Sequence, residues 1–147
     1  MNIIIISPGK SKGYLGEDIV LEYTSRISHY SSIEWKFISA ADIKEEGEKI
    51  VKAIPEKSFL VILDEKGKQL TSPGFSDFLN KRLNESTKNL VFVIGGAYGI
   101  SDAVKEKAQF TWSLSTLVFP HELVRSILAE QMYRGFSILR GEKYHHE

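Results

Sequence analysis

The chain has 147 residues, 42% hydrophobic and 26% charged, the profile of an ordinary globular domain with one substantial core. Its 19 basic and 19 acidic side chains cancel, so no bulk charge draws it toward nucleic acid or an anionic membrane. It has no cysteine, which excludes disulfide frameworks and thiolate metal sites.

The opening MNIIIISPGK has four isoleucines before Ser7-Pro8-Gly9, too short a run for a signal segment, and its lysine follows rather than precedes. No apolar run approaches the roughly 18 residues that span a bilayer, and a cytoplasmic protein is expected. Ile3–Ile6 reads as a buried strand. Val20, Tyr23, Ile27 and Tyr30 then recur at helical spacing, and Ile33, Trp35 and Phe37 alternate with charged residues as in a strand with one solvated face. Ile43, Ile50, Val51 and Ile54 make a second helical stripe, ended by Pro55. SFLVILD (58–64) is apolar on both faces, as befits a central strand, and LDEKGKQ after it reads as a loop.

Ser72 followed by Pro73 reads as an N-cap and first helical residue, with Phe75, Phe78, Leu79 and Leu83 on the buried face. LVFVIGG (90–96) is another central strand, Ser101 caps a short helix, and TWSLS (111–115) is the last strand. Pro120 opens a long final helix with Leu123, Val124, Ile127, Leu128 and Phe136 inward. Five strands alternating with five helices predict a single α/β domain over 1–147 with a mainly parallel sheet.

In open parallel sheets, ligands bind beyond the carboxyl ends of the strands. The loops there are LDEKGKQ, GGAYGIS and SLSTLVFP. Gly95, Gly96 and Gly99 allow close backbone approach to a ligand, or simply a tight turn into a Ser-capped helix. Neither a dinucleotide fingerprint nor a Walker loop is present. Leu117, Val118 and Phe119 are apolar where a turn is usually polar. They fold back into the core or wall a flat apolar ligand such as adenine. A phospho-receiver site is rejected: Asp64 ends the third strand, but carboxylates after the first and a lysine after the fifth are missing. SPGKSKG matches a flavodoxin phosphate loop only weakly.

FVIGGAYGIS, the stretch from WSLSTLVFPHELVR to the terminal GEKYHHE, and the opening IIIISPGKSKG together resemble the RlmH family, small SPOUT-class methyltransferases of large-subunit ribosomal RNA. The resemblance spans the whole chain in matching order. It implies a C-terminal trefoil knot, a homodimer with sites at the subunit interface, S-adenosylmethionine as cofactor, no metal, and methylation of N3 of a pseudouridine in 23S rRNA. Carried over by position, Leu63, Gly95, Leu114, Ser115, Thr116, Leu117, Val118 and Phe119 would form the cofactor pocket. Gly96, Gly99, Pro120 and His121 would support it, His121 by ordering the loop.

The terminal Tyr144, His145 and His146 would close the site, with Tyr144 stacking on or hydrogen-bonding the target base and His145 the leading candidate base. Where the family usually has arginine or lysine after Tyr-His, this chain has His146, so weaker or more pH-dependent RNA binding is expected. A non-catalytic RNA-binding module of the same fold is the alternative, suggested by that change and the balanced charge. Glu130 and Arg134 are expected to be structural.

Overall fold

The computed structural model describes residues 1–146. Five strands and five helices alternate: β1 (Asn2–Pro8), α1 (Glu17–Ile27), β2 (Ser32–Ile38), α2 (Ile43–Ala53), β3 (Ser58–Gln69), α3 (Ser72–Asn84), β4 (Asn89–Ile94), α4 (Asp102–Lys105), β5 (Phe110–Ser113) and α5 (His121–Leu139). The strands form one sheet in the order β2-β1-β4-β3-β5, and every pairing is parallel.

Because side chains alternate across a strand, the two faces of the sheet separate the core by residue parity. Ile3, Ile5, Val61, Leu63, Leu90, Phe92 and Ile94 face a layer that holds Ile27 of α1, Phe75 and Leu79 of α3, and Leu128, Met132 and Phe136 of α5. Ile4, Ile6, Leu60, Ile62, Val91 and Val93 face α2 and α4 through Ile50 and Val104. Burying each such side chain stabilises the fold by about 1.5–3 kcal/mol. Phe75 stacks on Trp112 at a centroid distance of 4.4 Å, joining α3 to β5.

Most helix starts are capped by side chains. Asp42 accepts from the Glu45 N–H at 2.8 Å, while Glu45 accepts from the Ala41 N–H at 3.0 Å. At α3 the cap is Thr71, which accepts from the Gly74 N–H at 3.0 Å, and not the expected Ser72. The Ser72 hydroxyl instead donates to Gln131 Oε1 at 2.6 Å, tying α3 to α5. Leu83 and Leu123, expected inward, are 42% and 39% exposed. Leu83 lies in the last turn of α3 and Leu123 in the first turn of α5.

The largest departure is in β3. LDEKGKQ is not a loop: the strand resumes, and after a register shift between Leu63 and Lys68 it pairs Gln69 with Ser113 of β5. Asp64–Gly67 bulges out between the two paired stretches, and Asp64 Oδ1 accepts from the Lys66 N–H at 2.9 Å. Gly67 passes so close to β5 that a Cβ there would sit 2.6 Å from the Thr111 carbonyl oxygen. This contact is with backbone, which cannot swing aside. Gly67→Ala is therefore expected to part β3 from β5 and lower stability by roughly 1–3 kcal/mol, measured as a drop in the urea midpoint.

Candidate functional site

At the carboxyl ends of β3, β4 and β5, three loops enclose a cavity of about 450 Å³. That volume is in the usual range for small-molecule and cofactor sites. Leu63 and the Asp64–Lys66 bulge form one wall, and Gly95, Gly96, Tyr98 and Gly99 form the floor. Leu114, Ser115, Leu117, Val118 and Phe119 form the opposite wall, backed by Val124 of α5. Of the residues carried over to the pocket, all but Thr116 line this one cavity; Thr116 lies in the same loop with its side chain exposed.

The loops hold their shapes by local bonds. The Gly99 N–H donates to the Gly96 carbonyl at 3.0 Å, and Gly99 has φ of 77°, a left-handed conformation suited to glycine. Ser115 Oγ accepts from the Leu117 N–H at 3.0 Å, and Ser113 Oγ donates to the Ser115 carbonyl at 2.8 Å. Leu117 and Val118 are 67% and 77% exposed, so this loop is not folded back into the core. Its apolar side chains face the cavity and solvent, which suits a flat apolar ring against one wall and backbone groups at its polar edge.

Beneath the glycine loop lies a residue the sequence reading missed. Glu46 of α2 is 5% exposed, and a Cβ on Gly96 would meet its Oε2 at 3.1 Å. Burial raises its pKa above the ordinary carboxylate value, and among the described residues no cation or hydrogen-bond donor offsets it. A capped amphipathic helix with several glutamates gives no sign of which one turns inward.

Behind the cavity, the first turns of α5 meet the end of β1. Arg125 is fully buried. Its Nε donates to Ser7 Oγ at 2.7 Å, its Nη1 to the Lys10 carbonyl at 3.0 Å, and its Nη2 to the Pro8 carbonyl. The guanidinium lies over the rings of Tyr14 and Phe37, at 4.3 and 4.7 Å from their centroids. His121 packs over Gly9, where a Cβ would meet His121 Nε2 at 2.8 Å. Burial, and then the Arg125 charge, lower the His121 pKa and favour the neutral ring. His121 does not line the cavity.

The end of the chain turns at Gly141, with φ of 66°, and runs back along α1 and α5. The Tyr144 hydroxyl lies 2.9 Å from that of Tyr23 and donates to Glu130 Oε1 at 3.2 Å. Its ring packs edge-on against Tyr133, and the Arg134 guanidinium lies 4.8 Å from its centroid. Burial and the bond to Tyr23 push the Tyr144 pKa up, which keeps the hydroxyl protonated. Arg134 binds Glu130 through Nε at 2.8 Å and Nη2 at 2.6 Å, and its Nη1 lies 2.9 Å from His145 Nδ1.

Tyr144, His145 and His146 do not line the cavity of their own chain. The ten-residue step along α5 from Val124 to Arg134 separates the two regions by about 15 Å. Glu130 and Arg134 thus form the anchorage of the tail. Among the described residues, no cluster of three or more acidic or histidine side chains is arranged to hold a metal ion, and no helix is long and apolar enough to cross a membrane.

A family profile described as "Predicted SPOUT methyltransferase" matches residues 1–145. The chain is 42% identical over 157 aligned positions to a protein of Flavobacterium johnsoniae named "Ribosomal RNA large subunit methyltransferase H", covering all of both chains. Proteins of the same name from Parabacteroides distasonis and Geotalea daltonii are 43% and 42% identical, with 99–100% of each chain covered.

The unpartnered Glu46 has a consequence for stability. A carboxyl whose folded pKa is raised holds its proton more tightly in the native state, so its contribution is full below the unfolded value and is lost as pH rises through the folded one. Glu46→Gln, which cannot ionise, is expected to raise the melting temperature at pH 8 relative to the unaltered protein, and to leave it nearly unchanged at pH 4. Melting curves at the two pH values check this.

Proposed function

This chain belongs to the SPOUT methyltransferase family, and from that premise we propose that it methylates N3 of a pseudouridine in the 23S rRNA of the large ribosomal subunit, using S-adenosylmethionine. The observation that carries the proposal is the cavity at the carboxyl edge, in a chain whose full-length relatives are named as large-subunit rRNA methyltransferases. The residues fit the cofactor: an apolar wall of Leu114, Leu117, Val118 and Phe119 suits the adenine, and the glycine loop admits the ligand to backbone distance. Bound there, S-adenosylmethionine supplies an activated methyl group on a cationic sulfur.

The protein's own part is alignment and hydrogen bonding of the target base. Holding nucleophile, methyl carbon and sulfur in line removes most of the entropic barrier. Tyr144, His145 and His146 are the groups we assign to the target base, with Tyr144 offering a ring face and a protonated hydroxyl. Because this tail lies away from its own cavity, it would serve the cavity of a second subunit.

An exposed apolar patch supports a homodimer. Leu15 just before α1, Ile19 in its first turn, Leu123 at the start of α5, and Leu117 and Val118 in the loop before it are 39–77% exposed. Glu122 Oε2 accepts from the Leu15 N–H at 3.1 Å, which holds the two helix starts together. Such patches on globular proteins mark association surfaces. With balanced charge the affinity for free RNA would be modest, and recognition would rest on the shaped surface of a ribosome in the cytoplasm.

Leu123→Asp is expected to convert a dimer to a monomer in sedimentation velocity and to abolish methyl transfer together with it. The activity itself is tested with labelled S-adenosylmethionine and ribosomes lacking this modification, followed by nucleoside mass spectrometry of the 23S rRNA. Labelled N3-methylpseudouridine is expected. Cofactor binding with no label would point to another RNA, and ribosome binding with neither would favour a non-catalytic module.

A further inference from the structure

The anchorage of the tail carries a statement about hydrogen placement. Arg134 is a guanidinium with donors only. Two of its nitrogens are committed to Glu130 Oε1, and the third, Nη1, is directed at His145 Nδ1 at 2.9 Å. A ring nitrogen facing a guanidinium N–H must accept, so Nδ1 carries no proton, and the ring proton sits on Nε2. The arrangement is braced from behind. Glu130 Oε2 accepts from Gln131 Nε2 at 2.8 Å, and Gln131 Oε1 accepts from the Ser72 hydroxyl at 2.6 Å. Ser72, Gln131, Glu130, Arg134 and His145 thus form a chain of hydrogen bonds running from the start of α3 to the tail.

We propose that Arg134 is a positioning residue that fixes His145 as the Nε2–H tautomer, and that His145 acts on the target base as a hydrogen-bond donor and not as the base that removes its proton. This rests on the reading of the tail as part of the methylation site. N3–H of a pseudouracil ring is flanked by two carbonyls, and the negative charge that builds as its proton departs is shared with those oxygens. An Nε2–H aimed at one of them stabilises that charge, as a donor in an oxyanion site does. In the transfer, the N3 proton leaves to water and the N3 electron pair forms the new bond to the methyl carbon. The pair of the sulfur–methyl bond stays on sulfur, so charge and atoms balance without a proton accepted by His145.

Two measurements test this, and they fail separately. The first is nitrogen-15 NMR of the imidazoles in the free protein. An unprotonated Nδ1 and a protonated Nε2 are expected for His145, with the preference lost in Arg134→Met; a proton on Nδ1 would overturn the proposal. The second is single-turnover methylation of unmodified ribosomes by His145→Gln and His145→Ala. Glutamine places an amide donor near the Nε2 position and cannot accept the N3 proton. It is expected to retain a rate within about tenfold of the unaltered protein, while alanine loses on the order of a hundredfold. Glutamine falling as far as alanine would overturn the donor role. No transfer by the unaltered protein would sink the ribosomal reading and the donor role with it, while the tautomer result would stand on its own.

Discussion

The carboxyl edge of this sheet depends on one buried cation. Arg125 sits fully inside the protein without an ion pair among the described residues. A guanidinium cannot shed its proton to escape burial, and an uncompensated one would cost several kcal/mol. Here Ser7 Oγ, two backbone carbonyls and two aromatic faces compensate it. All of them come from β1, the loop after it, and the end of β2. A single side chain therefore sets where α5 starts relative to the sheet, and lysine, with a point charge and no planar fork, could not replace it.

That placement propagates in both directions along α5. Toward its start, Val124 backs the cavity and the 114–119 loop must close the gap from β5, which leaves Leu117 and Val118 turned outward. Toward its end, Glu130, Tyr133 and Arg134 present the surface on which the tail lies. One helix thus carries both part of the wall of its own cavity and the mount for the tail. On the proposed reading, the separation of the two along the helix is why the tail would serve the cavity of a second subunit.

The order and type of the elements were legible because nearly every strand and helix is bounded by proline, glycine or a capping residue and keeps a clean period. The loops around the cavity were legible too, since loops at the carboxyl ends of parallel strands follow from the order of the elements, whereas the individual lining residues came from the family resemblance. What stayed hidden has specific causes. The continuation of β3 is polar, and its bulge breaks the alternation, so EKGKQ reads as a loop although Gly67 packs on β5. Glu46 and Arg125 are charged residues on helices, and nothing local distinguishes a buried one from its solvated neighbours. The tail's mounting is a tertiary property: only the juxtaposition of Tyr23, Glu130 and Arg134 turns a polar chain end into an ordered one. Glu147, the final residue of that end, lies outside the described residues.

The carboxyl-edge cavity is proposed as a cofactor site whose apolar wall is the 114–119 loop. Isothermal titration of S-adenosylmethionine into the unaltered protein and into Leu117→Asp tests it most directly, because Leu117 is exposed and its replacement should leave the fold intact. Saturable binding by the unaltered protein is expected, with its loss, or a weakening of at least about tenfold, in the variant. Absence of binding to the unaltered protein, or equal affinity in the two, would contradict it.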